Sequence, residues 1–252
     1  MKRINYNHYI RKAHRYLGLC IGIQFLFWTI GGLYFSWTKI ELIRSEDVRT
    51  SPAPIRIPDN FLTGSLSPAE HLPPGVSVDF SKLRIVSVLG EPHYLLPFET
   101  GPHHMDAILV RLSDGFKRPP AGESEARVIA KRALKIDLPI EKVELIPHHG
   151  TSKHHEYRNR LLPAYAVTFG GLQSYTVYVS TLDWQVQTVR SNSWRVFDFL
   201  WMLHTMDFEG RDDFNNYLLR AFSIFGIVTI MSGFVLFFVS SPIARRYIRA
   251  RR

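Results

Sequence analysis

Cysteine is nearly absent from this sequence. Cys20 is the single cysteine among 252 residues, and it lies inside a long apolar run. Because no second thiol is present to form a disulfide within the chain, a folded region outside that run must be stable on its core alone. A thiol in apolar surroundings is also a poor nucleophile, because its thiolate form is disfavoured there.

Acidic residues are missing from both ends. Residues 1–16 and 241–252 together hold ten Lys and Arg and no Asp or Glu. The chain has 31 basic and 22 acidic residues, so the remainder holds 21 basic against 22 acidic ones. The net charge of +9 therefore belongs to the two ends. A middle region without basic excess argues against nucleic acid as a partner, because such binding depends on neutralising phosphates.

Familiar catalytic patterns are missing as well. The sequence has no nucleotide-binding glycine signature, no nucleophile elbow, and no Ser/His/Asp or Cys/His set at a recognisable spacing. Carboxylate pairs occur at Asp212–Asp213 and Glu123–Glu125, in a predicted loop and a predicted helix start, where acids serve capping. The pattern favours a protein that is not an enzyme.

Two long apolar runs are present. Residues 16–37 contain no Asp, Glu, Lys or Arg, and residues 217–240 contain only Arg220, near the start. About twenty apolar residues suffice to cross a bilayer as a helix. The first run is too long for a signal peptide and ends without an A-x-A cleavage pattern. The sequence therefore predicts two transmembrane helices, over 16–37 and 217–240.

The basic ends predict the orientation of these helices. Basic segments flanking transmembrane helices stay in the cytoplasm, and they attract anionic lipid headgroups. Residues 1–15 and 241–252 are therefore predicted to be cytoplasmic tails, with the middle of the chain on the other side of the membrane. The lipid bilayer is the one partner that the sequence indicates directly.

The middle region predicts an α+β domain. Residues 38–76 are rich in proline and predict an extended connector. In residues 77–191, LRIVSVLG, HYLLPFE, AILVRLS, VELI, AYAVTFGG, YTVYVST and WQVQTV read as strands, and GESEARVIAKRALKI reads as a helix capped by Ser124. Residues 192–210 predict an amphipathic helix lying on or dipping into the outer leaflet. A helix followed by successive strands is an α+β pattern of antiparallel strands.

Several segments in this order resemble the PepSY-associated transmembrane proteins. The likeness lies in HRYLGL, SEARVIAKRALK, LLPAYAVTF…YTVYVSTLDWQV, and FDFLWMLHTMDF…DDFNNYLLRAFSIFGIVTIMSGFVLFF. The resemblance implies a bacterial inner-membrane protein whose residues 77–191 form a periplasmic PepSY-like domain. It also implies two functions: longer relatives with four or more spans include haem-carrying reductases of siderophore iron uptake, whereas PepSY domains elsewhere inhibit or chaperone peptidases.

Two histidines are candidate haem b ligands in light of that resemblance. On a helix, Gly18 and Gly22 follow His14 at i+4 and i+8, which leaves room for a flat ligand or for another helix. Ser223, Gly226, Thr229 and Gly233 of the second run offer a small-residue counterpart. His204 has Asp198 and Asp207 nearby, which could orient its ring. The simpler interpretation makes His14 an interfacial polar residue and His204 a packing residue.

The spacing of these histidines argues against a haem held by one chain. His14 is predicted at the cytoplasmic end of the first helix and His204 on the outer side, whereas a crossing helix covers about 30 Å. Two axial ligands of one haem lie only a few ångströms apart. A bis-histidine haem would therefore need an oligomer or another subunit.

Paired histidines in the middle region suggest a metal site. His148, His149, His154 and His155 fall within eight residues, and His103–His104 form a third pair. Imidazole suits zinc, copper and iron ions. Adjacent residues on a strand point to opposite faces, so each pair offers one ligand at most. The alternative is an exposed, solvated loop.

Two functions from different classes remain. The first is a non-catalytic accessory component that binds other membrane subunits or a second copy of itself. The second is a redox component that carries haem as an oligomer and is linked to the reduction of metal or siderophore iron. The sequence favours the first.

Overall fold

The computed structural model describes residues 6–51, 54–55, 71–74, 76, 78–101, 104–147, 152 and 154–242. The chain divides into two compact units. The helical unit comprises Met1–Lys39 and Val196–Arg252, and the sheet unit comprises Ile40–Arg195. The helices are α1 (Tyr6–Trp37), α2 (Ile40–Ile43), α3 (Glu123–Ala133), α4 (Asn192–Thr205) and α5 (Tyr217–Ser240). The strands are β1 (Arg84–Val88), β2 (Glu91–Gly101), β3 (His104–Arg111), β4 (Lys117–Arg118), β5 (Ile140–Ile146), β6 (Ala164–Phe169), β7 (Tyr175–Ser180) and β8 (Val186–Ser191).

In the helical unit, both predicted apolar helices are present. α5 has the predicted bounds, and Asn216 caps its start by accepting a hydrogen bond of 2.8 Å from the Leu219 N–H. α1 begins ten residues before the predicted start at Tyr16. The basic residues there remain helical, because Arg, Lys and Ala are good helix formers. Both helices are long and apolar enough to cross a membrane.

α1 and α5 pack antiparallel. A Cβ built on Gly233 would lie 3.3 Å from the His14 ring, and one built on Gly226 would lie 3.5 Å from the Phe25 ring. Residue numbers thus rise along α1 as they fall along α5. Ile21, only 3% exposed, lies on the same α1 face. The small residues of α5 allow this close approach.

Gly18 and Gly22 do not take the predicted role in this packing. A Cβ added at either glycine meets nothing within 4 Å. At 3.6 residues per turn, Ile21 and Phe25 lie within about 20° of His14 around the helix, whereas Gly22 lies about 80° away. The α1 face against α5 is therefore built from His14, Ile21 and Phe25, and the glycines face open space.

The sheet unit contains two four-stranded antiparallel sheets, in the orders β1-β2-β3-β4 and β5-β6-β7-β8. Every predicted strand is found. β4, with only two residues, was not predicted. The predicted helix is α3, but its N-cap is Gly122, whose N–H donates to the Glu125 carboxylate at 3.1 Å. The Ser124 cap was therefore wrong: its hydroxyl donates to Glu125 instead.

One core joins both sheets and α3. Ala126, Ile129 and Ala130 recur at helical spacing and are buried. The same core holds Val88, Leu95 and Leu109 of the first sheet with Val167, Phe169, Val177, Val179 and Val189 of the second. The start of the predicted connector is tied to this unit, since the Thr50 N–H donates to the Ala133 carbonyl at 2.8 Å. The predicted connector is helical rather than extended at Ile40–Ile43, and its residues 52–53, 56–70 and 75 lie outside the described part of the chain.

The second sheet has a polar and aromatic opposite face. Because strand side chains alternate, Val177 and Val179 point into the core while Thr176 and Tyr178 point the other way. The segment after β5 covers this face, where Tyr157 stacks on Tyr178 with ring centroids 4.7 Å apart. Polar and charged side chains, Glu156, Thr176 and Arg195 among them, collect on this face.

Candidate functional sites

His14 lies in the contact between α1 and α5. Its Nδ1 is 2.7 Å from the Ser232 hydroxyl. That hydroxyl donates its own proton to the Thr229 carbonyl at 2.7 Å, so it must accept from His14. Neutral His14 therefore carries its proton on Nδ1. Its Nε2 lone pair is left for another partner, as in metal-binding histidines whose other nitrogen donates a hydrogen bond.

His204 lies in an aromatic enclosure within the helical unit. Its ring stacks on Trp201 at a centroid distance of 6.1 Å and lies 5.9 Å from Trp28 and 6.1 Å from Phe35. Trp28 Nε1 also donates to the His204 carbonyl at 2.9 Å, and Gln24 donates to the Leu203 carbonyl at 2.7 Å. Helix ends leave such carbonyls without intrahelical partners. Side chains of α1 thus cap α4.

The structure keeps His14 and His204 apart. His14 contacts α5, whereas His204 lies against Trp28, fourteen positions further along α1. Those positions correspond to about 21 Å of helix. The described residues of one chain therefore do not form a bis-histidine haem site. Burial lowers the pKa of His204, and its Nδ1 is buried without a hydrogen-bond partner among the residues the structure describes.

The predicted carboxylate partners of His204 are used elsewhere. Asp198, 4% exposed, pairs with Arg211. Asp207 accepts hydrogen bonds from the N–H groups of Glu209, Gly210 and Asp213, at 3.0–3.1 Å. Asp207 thus holds a turn and Asp198 holds Arg211, and the orientation of the imidazole by these acids stays a prediction.

The paired histidines form no metal site within the described part of the chain. His103, His148 and His149 lie outside that part, as does the side chain of His104. His154 is exposed, and His155 Nδ1 accepts from the Tyr157 N–H at 3.1 Å. Among described residues, no group of three His, Cys, Asp or Glu could hold a metal ion. The metal site stays a prediction.

A polar groove of about 500 Å³ lies on the opposite face of the second sheet. Glu156 is one of its lining residues. Arg195 donates to both Glu156 carboxylate oxygens, at 2.8 and 2.9 Å, and Tyr178 donates to the same carboxylate at 2.6 Å. Arg195 also reaches the Thr176 hydroxyl at 3.0 Å. The remaining lining includes Lys142 and Leu145 of β5, an edge strand.

The electrostatics of this groove favour binding over proton transfer. Burial alone would raise the pKa of Glu156, but the hydrogen bonds from Arg195 and Tyr178 hold it below its ordinary value. Burial and the adjacent Glu156 raise the pKa of Tyr178 above its ordinary value. Glu156 is therefore a carboxylate with its lone pairs engaged, and Tyr178 is a neutral donor. Neither group is poised to exchange a proton near neutral pH.

Sequence reasoning missed most of this groove. Glu156 stood out only as a neighbour of the paired histidines, and Arg195 lies 39 positions away from it. The available signal was the alternation in YTVYVST, which places Thr176 and Tyr178 on the face that the core does not use.

A second polar cluster, around His93, links β2 to β4 across β3. His93 is fully buried; its Nδ1 is 2.9 Å from the Glu91 carbonyl, and its Nε2 is 2.9 Å from Arg118 Nε. Arg118 can only donate, so Nε2 accepts and Nδ1 carries the proton. Burial lowers the pKa of His93, with the nearby Arg118 acting in the same direction.

Comparisons with protein-family models, with characterised proteins and with solved structures find no match for this chain.

Proposed function

We propose that this chain is a bacterial inner-membrane protein anchored by α1 and α5, with both ends in the cytoplasm and the sheet unit in the periplasm. One observation carries the proposal: two apolar helices pack antiparallel while their outer surfaces stay exposed. Only 11% and 6% of their most apolar windows are buried. A core helix of a water-soluble protein would be mostly buried, so these surfaces suit lipid.

The orientation is supported by charge. An antiparallel pair brings the start of α1 and the end of α5 to one side, and the sequence segments 1–16 and 241–252 are basic without acids. A basic excess of this kind favours the cytoplasmic side. The resemblance to PepSY-associated transmembrane proteins supports the same arrangement for the sheet unit.

Reporter fusions test this topology. A reporter active only in the cytoplasm should give signal at either terminus and none when inserted after Pro119, an exposed residue of the sheet unit. A reporter active only in the periplasm should give the opposite pattern. Cytoplasmic activity at the Pro119 insertion would overturn the proposal.

We propose that the sheet unit has a non-catalytic role and binds a partner, as an accessory component of a membrane complex. The groove beside β5 supports this role. The Glu156 carboxylate there is already engaged by hydrogen bonds from Arg195 and Tyr178, whereas Leu145 on the edge strand is 53% exposed. Exposed strand edges bind extended segments through main-chain hydrogen bonds. The occupant is proposed to be another membrane subunit or a second copy of the chain.

Photo-crosslinking tests the binding role. A photoreactive residue at Leu145 should give a discrete adduct in intact membranes. The control position is Leu172, a leucine that is fully exposed and is absent from the groove lining. Equal adducts at both positions, or none at Leu145, would contradict the proposal.

A haem-carrying redox component is the second candidate. The observation in its favour is His14, whose Nδ1 is held by Ser232 while Gly18 and Gly22 face open space. One histidine supplies one axial ligand, and His204 is remote from it. This candidate therefore needs a second chain, and it ranks below the accessory role.

A further inference from the structure

β5 is an accessible edge of the second sheet. It stands at the end of the order β5-β6-β7-β8, and β6 is its one paired neighbour among the strands that the structure describes. Four of its seven residues are exposed, whereas no residue of β8, at the other end of the same sheet, is exposed. The outer edge of β5 therefore presents main-chain N–H and C=O groups with which a further strand can pair.

The charges on this edge are ordered. Lys142 and Glu144 lie two positions apart on β5, so both side chains project from the same face of the sheet. They pair within the strand at 2.7 Å while 63% and 55% exposed, and an exposed ion pair contributes little to stability. A lysine on an edge strand normally discourages other strands from pairing there. The glutamate changes this, because a second β5 running antiparallel meets each charge with the opposite one.

A two-fold axis fixes the register of such a pair. Outward-pointing N–H and C=O groups alternate along a strand, so the axis must pass through a residue rather than between two residues. An axis at Lys142 or at Glu144 sets like charges directly opposite each other. An axis at Val143 sets Lys142 of each copy opposite Glu144 of the other. Val143 is also the middle residue of β5, so this register overlaps the whole strand.

The remaining pairs in this register are compatible with it. Ile140 of each copy lies opposite Ile146 of the other, so two apolar pairs flank the charged ones. The irregularity of β5 falls between Ile140 and Lys142, outside the three central pairs. Directly opposed residues lie about 4.5–5.5 Å apart, which lysine and glutamate side chains span easily.

We propose that two copies of the chain associate through β5, antiparallel and centred on Val143, so that their second sheets join into one sheet of eight strands. This inference rests on the partner-binding role proposed above and names the partner as a second copy. The charges that repel other strands select the chain's own copy, because only a strand with the same order of charges satisfies both of them.

Sedimentation equilibrium of the full chain in uncharged detergent tests the pairing. Lys142→Glu and Glu144→Lys each set like charges opposite each other on both sides of Val143, and each should weaken the dimer by about tenfold. An equimolar mixture of the two variants should recover the native affinity, because each copy then meets the opposite charge. Both variants lack the ion pair within the strand, and mixing does not restore it. Recovery therefore reports contact between copies. Lys131→Glu, an exposed change on α3, should leave the affinity unchanged.

A cysteine on the proposed axis locates the contact. In a Cys20→Ser background, Val143→Cys should give a disulfide-linked dimer on mild oxidation, because opposed strand residues have the Cα separation that a disulfide requires. Leu172→Cys is the control. Leu172 is fully exposed, so random collisions would link that variant more readily than Val143→Cys.

Three results would overturn the pairing: a monomeric native chain, a dimer that neither charge reversal weakens, or equal linking of the two cysteine variants. The photoreactive residue at Leu145 separates this failure from failure of the accessory role. An adduct with a different protein would keep the accessory role and refute only the self-pairing. No adduct at all at Leu145 would refute both.

Discussion

Arg195 holds both carboxylate oxygens of Glu156, at 2.8 and 2.9 Å. The pair links the segment before β6 to the first turn of α4. The side chains of Arg195 and Glu156 are 34% and 21% exposed, so the pair is partly sheltered from solvent. Tyr178 adds a third hydrogen bond from the sheet. These hydrogen bonds hold Glu156 and its neighbours against the second sheet, beside the groove that Glu156, Tyr178 and Arg195 line.

Replacing Glu156 should destabilise the sheet unit. Glu156→Gln removes the charge while keeping the size, and should cost about 2 kcal/mol at pH 7, because Arg195 is left with weaker acceptors. Glu123→Gln is the control, since Glu123 also binds an arginine, Arg127 at 2.7 Å, but in an exposed i,i+4 pair worth about 0.4 kcal/mol. The measurement is thermal unfolding in detergent. Equal losses in the two variants would contradict the structural role of Glu156.

The same carboxylate gives a pH dependence. The pKa of Glu156 lies below its ordinary value of 4.5 in the folded protein. Its contribution to stability is therefore present above pH 4.5 and is lost as the pH falls through the folded-state pKa. As the pH falls below 5, the Glu156→Gln variant should therefore lose less stability than the native chain. If the Tm values of the two proteins fell in parallel below pH 5, the lowered pKa of Glu156 would be refuted.

His93 should make stability depend on pH in a higher window. Its folded-state pKa is below the ordinary value of 6.5, so the unfolded chain binds the extra proton first. Stability contributed by neutral His93 is present above pH 6.5 and falls as the pH drops below it. His93→Gln can still accept from Arg118 and donate to the Glu91 carbonyl, so it should flatten the Tm profile between pH 7.5 and 5. His154→Gln, an exposed control, should retain the native slope.

Local patterns in the sequence predicted most elements but few contacts. Alternation revealed seven of the eight strands, whereas β4, with only Lys117 and Arg118, is too short to show a period. The aromatic enclosure of His204 and the pairing of Glu156 with Arg195 depend on how distant segments pack. Nothing in the local sequence reports such packing. Gly18 and Gly22 illustrate a different limit. Their spacing identifies a helix face on which close packing is possible, but it does not tell which face of α1 packs against α5.

Gly233 should be sensitive to substitution. A Cβ there would lie 3.3 Å from the His14 ring, so Gly233→Leu must separate α1 from α5 or displace the ring. The expected loss is about 1–3 kcal/mol in detergent, as for other overpacked sites. Gly22→Leu is the matched control, because open space surrounds that position and leucine is the better helix former. An equal loss at Gly22 would show that its face is packed as well.

The paired histidines should contribute little to metal affinity. His155 already uses Nδ1 to accept the Tyr157 N–H, which leaves one ring nitrogen for a metal. We expect His149→Ala/His155→Ala to leave the affinity for Zn²⁺ and Cu²⁺ unchanged in calorimetric titrations. A loss of tight binding in the double variant would establish a metal site that includes the segment after β5.

The last prediction concerns haem. Because His204 lies against Trp28, fourteen positions along α1 from His14, one chain cannot supply both axial ligands, and we expect the purified protein to be colourless. A Soret band would contradict this expectation and would assign the ligands to more than one chain. In that case His14→Ala should abolish the band, because Ser232 orients its ring and open space adjoins Gly18 and Gly22. Leu145→Ala, a control in the sheet unit, should keep it. A bis-histidine spectrum that survives dilution to monomers would show that the two histidines meet within one chain and that the helix placement is wrong.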